Sequence, residues 1–427
     1  MKDILKILFS LLCLFLPVVA CAGKAVFKKE QIKQDIVFLD SMIRAVHPDP
    51  FYYTSEEKYE RLKDELLLSL PDSVSQEKAY LLMAPFLASL KDGHSLMMTP
   101  YGPLVEYLKG GGKVFPIDIH LAGGKIFAKT DFYKNSSFEE NTELTSVNGV
   151  DARLLMSSLL KLYPIELSED VWYKTLERDF YILLLYTGLL TDERIELGLK
   201  NAGGESVYET EMMPYSSYPQ NKTTEASPQY AFSIDEPKKE ATVRLKNFLP
   251  SEKYYSFIDS LFDVIHREKV RSLVLDIRGN SGGSSDAVDT LMSHLYKGYY
   301  NLYSEAYLKI SEAAKKKYQK RDTSFYAVIK NKPLGDLVPE EMESTYFGRP
   351  DTYTGPLEVL VDERTYSGAA SFANLVKELK RGRVSGTSGG RNLYFGDFLF
   401  FELPQTKLLF TVSTKKFIEY IAEPEKR

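Results

Sequence analysis

The chain has 427 residues, 44% hydrophobic and 26% charged, a globular composition long enough for two or three domains that needs no disulfide or metal staple to close its core. Its formal net charge of -5, from 54 Lys and Arg against 59 Asp and Glu, argues against a nucleic-acid partner. Only two cysteines occur, Cys13 and Cys21, and Cys13 falls inside an N-terminal leader, so no disulfide can form within the mature chain.

That leader, residues 1–21, places Lys2 and Lys6 ahead of an apolar run from Ile7 to Val19 and then small residues. The pattern is that of a secretory signal, too short and wrongly flanked for a spanning helix. Val18-Val19-Ala20-Cys21 resembles a bacterial lipobox, in which the Cys21 thiol is acylated and becomes the new N-terminus. Ala20-Cys21-Ala22 also fits a cleavage site for soluble secretion. The lipid anchor is the favoured reading, because a mature secreted chain would otherwise keep one unpaired thiol. The expected location is therefore the periplasm, or the outer membrane through a lipid anchor, of a bacterium.

Residues 28–100 read as a helical domain. Ile32, Ile36, Leu39, Ile43 and Val46 recur at three- and four-residue steps, and the HPDP at residues 47–50 ends that helix. A second helix starts at a Ser55 cap, and a third is expected to close at Gly93. Residues 111–235 read as β-rich, with strands around Gly123-Gly124, a strand, an Asn148-Gly149 turn and a helix, and a polar linker over 214–230. Residues 236–427 alternate strand and helix: VRSLVLDI and PLEVLVDE are continuous apolar strands of the kind buried on both faces of a parallel sheet. The basic run AAKKKYQKRD is read as a solvated helix face.

Three short segments carry chemistry. In LDIRGNSGGSSDA, Gly282 and Gly283 stand between a strand and a helix, where backbone N–H groups and a helix N-terminus favour an oxyanion. The segment is neither a Walker A loop nor GxGxxG, and alone it would be a plain turn. In VLVDERTYSGAASFANL, Ser367 follows a buried strand and precedes a helix, so its hydroxyl sits at a helix N-terminus; alone, it would be an N-cap. In LKDGHSLM, His94 lies in a loop and is the best placed of the five histidines to act as a base near neutral pH. His47 reads as a helix-ending contact, and His120, His266 and His294 as strand or helix residues. No HExxH or Cys/His cluster exists, and no cofactor or metal is expected.

Together and in order, HPDPFYY, LKDGHS, LVLDIRGNSGG, TYSGAASFA and VSGTSGGRNLYFG resemble the S41 serine peptidases, the tail-specific and C-terminal processing protease family, and in particular its tricorn-like branch. The resemblance spans roughly residues 30 to 415. It implies an α/β protein with a crotonase-like (ClpP/crotonase-type) catalytic core, an N-terminal helical domain and a β-rich middle domain with a PDZ-like element at ELTSVNGVDARLL. It also implies a polypeptide substrate. Ser367 would be the nucleophile and His94 the base, with an oxyanion hole from Gly368 and from Gly282 or Gly283. The resemblance places a distal acid near the C-terminus, for which Glu423 and Glu425 are the candidates.

Three departures stand out. Asn392, beside Arg391, occupies the place of the lysine base of the C-terminal processing branch. Ala370 replaces an acid, and Gly93 stands where a serine often precedes the histidine. The alternatives are a non-catalytic protein binding a peptide or lipophilic ligand on the same scaffold, and an acyl esterase using the same serine.

Overall fold

The computed structural model describes residues 25–166, 168–190, 193–219, 228–340, 345–387 and 394–421. Cys21, Arg391, Asn392, Glu423 and Glu425 lie outside them. Three helices come first: α1 (Lys29–Val46), α2 (Glu56–Ser69) and α3 (Gln76–Ala88). The stripe Ile32, Ile36, Leu39, Ile43 and Val46 is buried throughout. Helix α1 stops where Pro48 holds His47 extended, at φ -67 and ψ 130. Helix α2 starts at Ser55, whose hydroxyl accepts from the N–H of Lys58. Helix α3 ends at Ala88 and not, as expected, at Gly93. Lys91 takes a φ of 58, a conformation that cannot continue a right-handed helix, and Asp92 then turns into the interior.

The middle of the chain forms an antiparallel sheet of β1 (Ile117–Ala122), β2 (Lys125–Asp131), β3 (Glu143–Val147), β4 (Arg194–Asn201) and β5 (Gly204–Glu211), in the order β5-β4-β3-β2-β1. Asn148 and Gly149 adopt φ values of 47 and 77 in the tight turn after β3, which leads into helix α4 (Ala152–Leu160). A long helix, α5 (Asp170–Thr187), was not expected in this region. Its FYILLLYT stretch is too continuously apolar to show a helical period in sequence. Helix α5 lies against the outer edge of β1. There Glu177 accepts the N–H of Leu121 at 2.7 Å and pairs with His120 Nδ1 at 2.8 Å, so that edge is already capped.

The C-terminal half holds a sheet of β6 (Tyr230–Asp235), β7 (Glu240–Leu245), β8 (Ser272–Asp276), β11 (Leu357–Val361) and β12 (Arg383–Gly386), in the order β6-β7-β8-β11-β12. Four strands are parallel and β6 is an antiparallel edge. Leu273, Leu275, Val359 and Val361 fill its core with residues of α6 (Glu252–Arg267), α7 (Ser285–Leu295) and α8 (Gly368–Glu378). The βα alternation expected from the sequence is therefore present, and the chain is a mixed α/β protein.

A further antiparallel sheet was not foreseen. It comprises β9 (Tyr303–Lys309), β10 (Leu337–Pro339), β13 (Phe395–Glu402) and β14 (Leu409–Glu419), ordered β10-β9-β14-β13. The β13–β14 hairpin enters the N-terminal core, where Leu403, Leu408, Phe410 and Val412 pack with residues of α1 and α3. The buried carboxylate of Asp35 in α1 holds the hairpin turn, accepting the N–H groups of Gln405 and Thr406, each at 2.8 Å, and the Thr406 hydroxyl at 2.6 Å. The segment after α3 then lies along β14: Met98 N–H donates to Leu409 O at 2.8 Å and Thr411 N–H to Leu96 O at 2.9 Å. By this route a loop from the N-terminal helices is carried to the parallel sheet.

Candidate active site

The loop after β11 is stitched to the loop after β8 before it reaches Ser367. Thr365 Oγ1 donates to Ile277 O at 3.1 Å, and Tyr366 N–H donates to Asn280 O at 2.9 Å. Ser367 then takes a φ of 51 and a ψ of -130, just ahead of α8. For a residue with a side chain this costs about 1–3 kcal/mol, and such strain concentrates at functional turns. Ser367 occupies the N-cap position, yet its hydroxyl makes no capping bond. It lies 3.0 Å from His94 Nε2 instead. Residues 273 positions apart in the chain thus meet within hydrogen-bond distance.

His94 is held from several sides. Its own N–H donates to Asp92 Oδ1 at 3.0 Å, and that oxygen lies 3.8 Å from Nδ1. Thr411 Oγ1 of β14 donates to His94 O at 2.8 Å. The ring stands between Tyr366, at 5.1 Å centroid to centroid, and Phe398, at 6.0 Å. Burial lowers the pKa of the ring, while Asp92, Asp397 and a bond to the backbone of Phe395 push it back up. The net direction is down, so the ring is neutral near pH 7. Nε2 faces the Ser367 hydroxyl, while Nδ1 faces the Tyr366 hydroxyl at 3.5 Å and Asp92 Oδ1 at 3.8 Å.

Asp92 and His47 are parts of the site that the sequence reading did not single out as partners. Asp92 is fully buried and accepts from Ser95 Oγ at 2.5 Å, Ser413 Oγ at 2.6 Å and His47 Nε2 at 3.1 Å. His47 Nδ1 in turn accepts the Asp49 N–H at 3.1 Å, which makes Nε2 the donor to Asp92. Burial opposes the charge on Asp92, but these donors outweigh it and hold the pKa well below the usual carboxylate range. The sequence signals were the aspartate two residues before His94 and the helix-ending HPDP; neither says which carboxylate the histidine meets.

Gly93 has a specific neighbour. A Cβ at this position would stand 2.2 Å from the Tyr366 hydroxyl, which is itself 3.5 Å from His94 Nδ1. The tyrosine hydroxyl fills the space that a side chain before the histidine would need, so Gly93 and Tyr366 are one coupled departure.

The glycine nest divides its labour. The Gly282 N–H donates to Asn280 Oδ1 at 2.8 Å, so it is spent and cannot also serve an oxyanion. Of the two expected alternatives, Gly282 or Gly283, this leaves the N–H of Gly283 as the available one. Its role is steric: at φ 95, a Cβ there would come within 2.7 Å of Gly368 N and 2.8 Å of Ser367 Cβ. Gly283 is bridged to Phe248 through its neighbours, with Phe248 N–H donating to Gly282 O and Ser284 N–H to Phe248 O, both at 2.9 Å. The N–H groups of Gly283 and Gly368 make no hydrogen bond among the described residues. They lie close together, with a Cβ on Gly368 falling 3.4 Å from Gly283 N. Asn280 completes the frame, its Nδ2 donating to Leu245 O at 3.1 Å.

One more carboxyl lies nearby. Glu166 accepts the hydroxyl of Tyr53, whose ring packs on Phe395. Burial pushes the Glu166 pKa up to about 8. The two carboxylates expected as distal acids, Glu423 and Glu425, fall outside the described residues. Among the described residues no group of three His, Cys, Asp or Glu side chains is placed to hold a metal ion.

Comparison with known proteins agrees with this architecture. Residues 239–418 match the family model described as Peptidase family S41. Among solved structures, mature CPAF is 14% identical over 92% of this chain and 92% of that chain, with a TM-score of 0.60. A CPAF mutant is 12% identical over 93% and 91%, with a TM-score of 0.63. The photosystem II D1 C-terminal processing protease is 16% identical over 91% and 88%, at a TM-score of 0.41 too low to support an argument. No curated protein matches the sequence.

Proposed function

We propose that this chain, a serine-type peptidase of the S41 fold, cleaves polypeptides of a bacterial envelope, with Ser367 as nucleophile and His94 as general base. The observation that carries the reading is the 3.0 Å approach of His94 Nε2 to a serine hydroxyl that stands at φ 51 and caps nothing. The imidazole takes the hydroxyl proton as Oγ attacks the peptide carbonyl carbon. The negative charge that develops on the carbonyl oxygen is met by the N–H groups of Gly368 and Gly283 at the start of α8, where the helix dipole adds to their effect. His94 then returns the proton to the leaving amine, and water releases the acyl group by the same steps in reverse order. Asp92 anchors the His94 backbone, and its charge favours the imidazolium that forms during attack.

The leader and Cys21 support secretion and a lipid anchor, and the substrates are accordingly envelope or extracellular polypeptides trimmed at the carboxyl end or cut internally. Ser367→Ala, compared with the unaltered protein on casein and on a peptide library, tests the reading. Loss of peptide cleavage in the folded variant is the expected result. Equal cleavage by both proteins, or cleavage of simple esters only, would refute it.

A further inference from the structure

Edge strands in two sheets of this protein differ in one respect. The edge of β1 is closed, its Leu121 N–H held by Glu177 of α5. The edge of β13 is open, since β13 pairs only with β14 and no strand lies beyond it among the described residues. The phase of that pairing follows from the bonds around it. Leu403 N–H donates to Leu408 O, so Leu399 and Phe401, two and four residues earlier, also face β14. Leu409 O and Thr411 N–H point to the opposite side of β14, to Met98 and Leu96, which fixes the same phase independently. Phe398, Phe400 and Glu402 therefore turn their backbone N–H and C=O groups toward the free edge.

The side chains alternate accordingly. Leu399 and Phe401 pack on the N-terminal core. Phe398 and Phe400 project from the other face, 39% and 62% exposed, with their rings edge to face at 5.4 Å. An open edge with adjacent exposed aromatics is a feature that folded proteins normally suppress. Here its near end stacks on His94. We infer that β13 is the substrate-docking strand: an extended polypeptide adds to its free edge, bonded to the main chain of Phe398, Phe400 and Glu402, with apolar side chains at alternate positions on the two phenylalanines. The Phe398 end delivers the scissile bond to Ser367, and about 13 Å of strand leads away toward Glu402. Such docking selects unfolded or terminal segments, which can supply a free main chain, over folded ones.

This inference deepens the peptidase reading and rests on it, and the two are separated experimentally. Binding is measured by fluorescence anisotropy on the inert Ser367→Ala protein, using a labelled octapeptide with Phe at alternate positions and its single N-methyl derivatives. N-methylation at every second residue is expected to weaken binding about five-fold or more, and methylation at the intervening residues to leave it unchanged. Phe400→Ser is expected to weaken the parent peptide about ten-fold. Val207→Ser, on the remote edge strand β5, leaves it unaffected. No binding, equal effects of all N-methyl groups, or an indifferent Phe400→Ser variant overturns the docking strand. If a fluorophosphonate also fails to label Ser367 in the unaltered protein, the peptidase reading falls and the docking proposal with it. Labelling combined with a flat N-methyl profile overturns the docking proposal alone.

Discussion

Gly282→Ala probes the site without removing any reacting group. The new methyl would stand 2.7 Å from Gly368 N, 2.7 Å from Tyr366 O and 2.8 Å from Ser367 Cβ, all inside contact distance. Two of these neighbours are backbone atoms, so no side-chain rotation relieves the overlap and the turn at 366–368 has to shift. The φ of 95 at this residue adds strain of about 1–2 kcal/mol for any L side chain. In a chain of this size that is a fall in melting temperature of a few degrees, with the fold retained. The catalytic cost is larger. Displacing the Gly368 N–H from the reacting oxygen removes one oxyanion donor, about 3–4 kcal/mol of barrier, or a kcat lower by about 10²–10³. Steady-state kinetics on a fluorogenic peptide, with a circular-dichroism melt of the same sample, measures both. A folded variant with kcat within about threefold of the parent would refute the steric role given to Gly282 and the donor role given to Gly368.

Other perturbations read out other parts of the account. As a base His94 must be neutral, and burial lowers its pKa, so the acid limb of kcat/KM is expected below the ordinary histidine value of about 6.5. Asp92→Asn removes a charge that favours the imidazolium and should move that limb to still lower pH, as a pH–rate profile would show. Glu166 holds its proton in the folded chain up to about pH 8 but loses it near 4.5 when unfolded. Between those values folding takes up a proton, so stability falls as pH rises. Glu166→Gln is expected to raise stability by about 2 kcal/mol at pH 7 and by little at pH 4, checked by denaturant titration at both. Asp35→Ala orphans three donors of the hairpin turn, the two of Thr406 buried. It should cost about 3 kcal/mol or more and lower kcat as well, because that hairpin carries the Thr411 and Ser413 contacts to the His94 loop.

Local patterns were legible in the sequence where one element decides them. The α1 stripe, the Ser55 cap, the Asn148-Gly149 turn and the apolar strands of the parallel sheet each follow from residue type and spacing. The site was legible only as three separate segments. Their union depends on β14, whose alternation was overlooked, and on the Asp35 clasp, which joins residues 370 or more positions apart. The Tyr366 hydroxyl that requires Gly93 and the His47 donor to Asp92 are likewise contacts between distant segments. No periodicity encodes such contacts. Helix α5 escaped for a different reason: a helix packed on several sides shows no amphipathic stripe.

The central claim is that His94 activates Ser367 for attack on an acyl centre. Intact-protein and peptide mass spectrometry after reaction with a fluorophosphonate tests it most directly. A single adduct on Ser367, formed in the parent protein and slowed about 10³-fold or more in His94→Ala with the fold intact, is the predicted result. An unlabelled Ser367, or equal labelling rates in the two proteins, would contradict it.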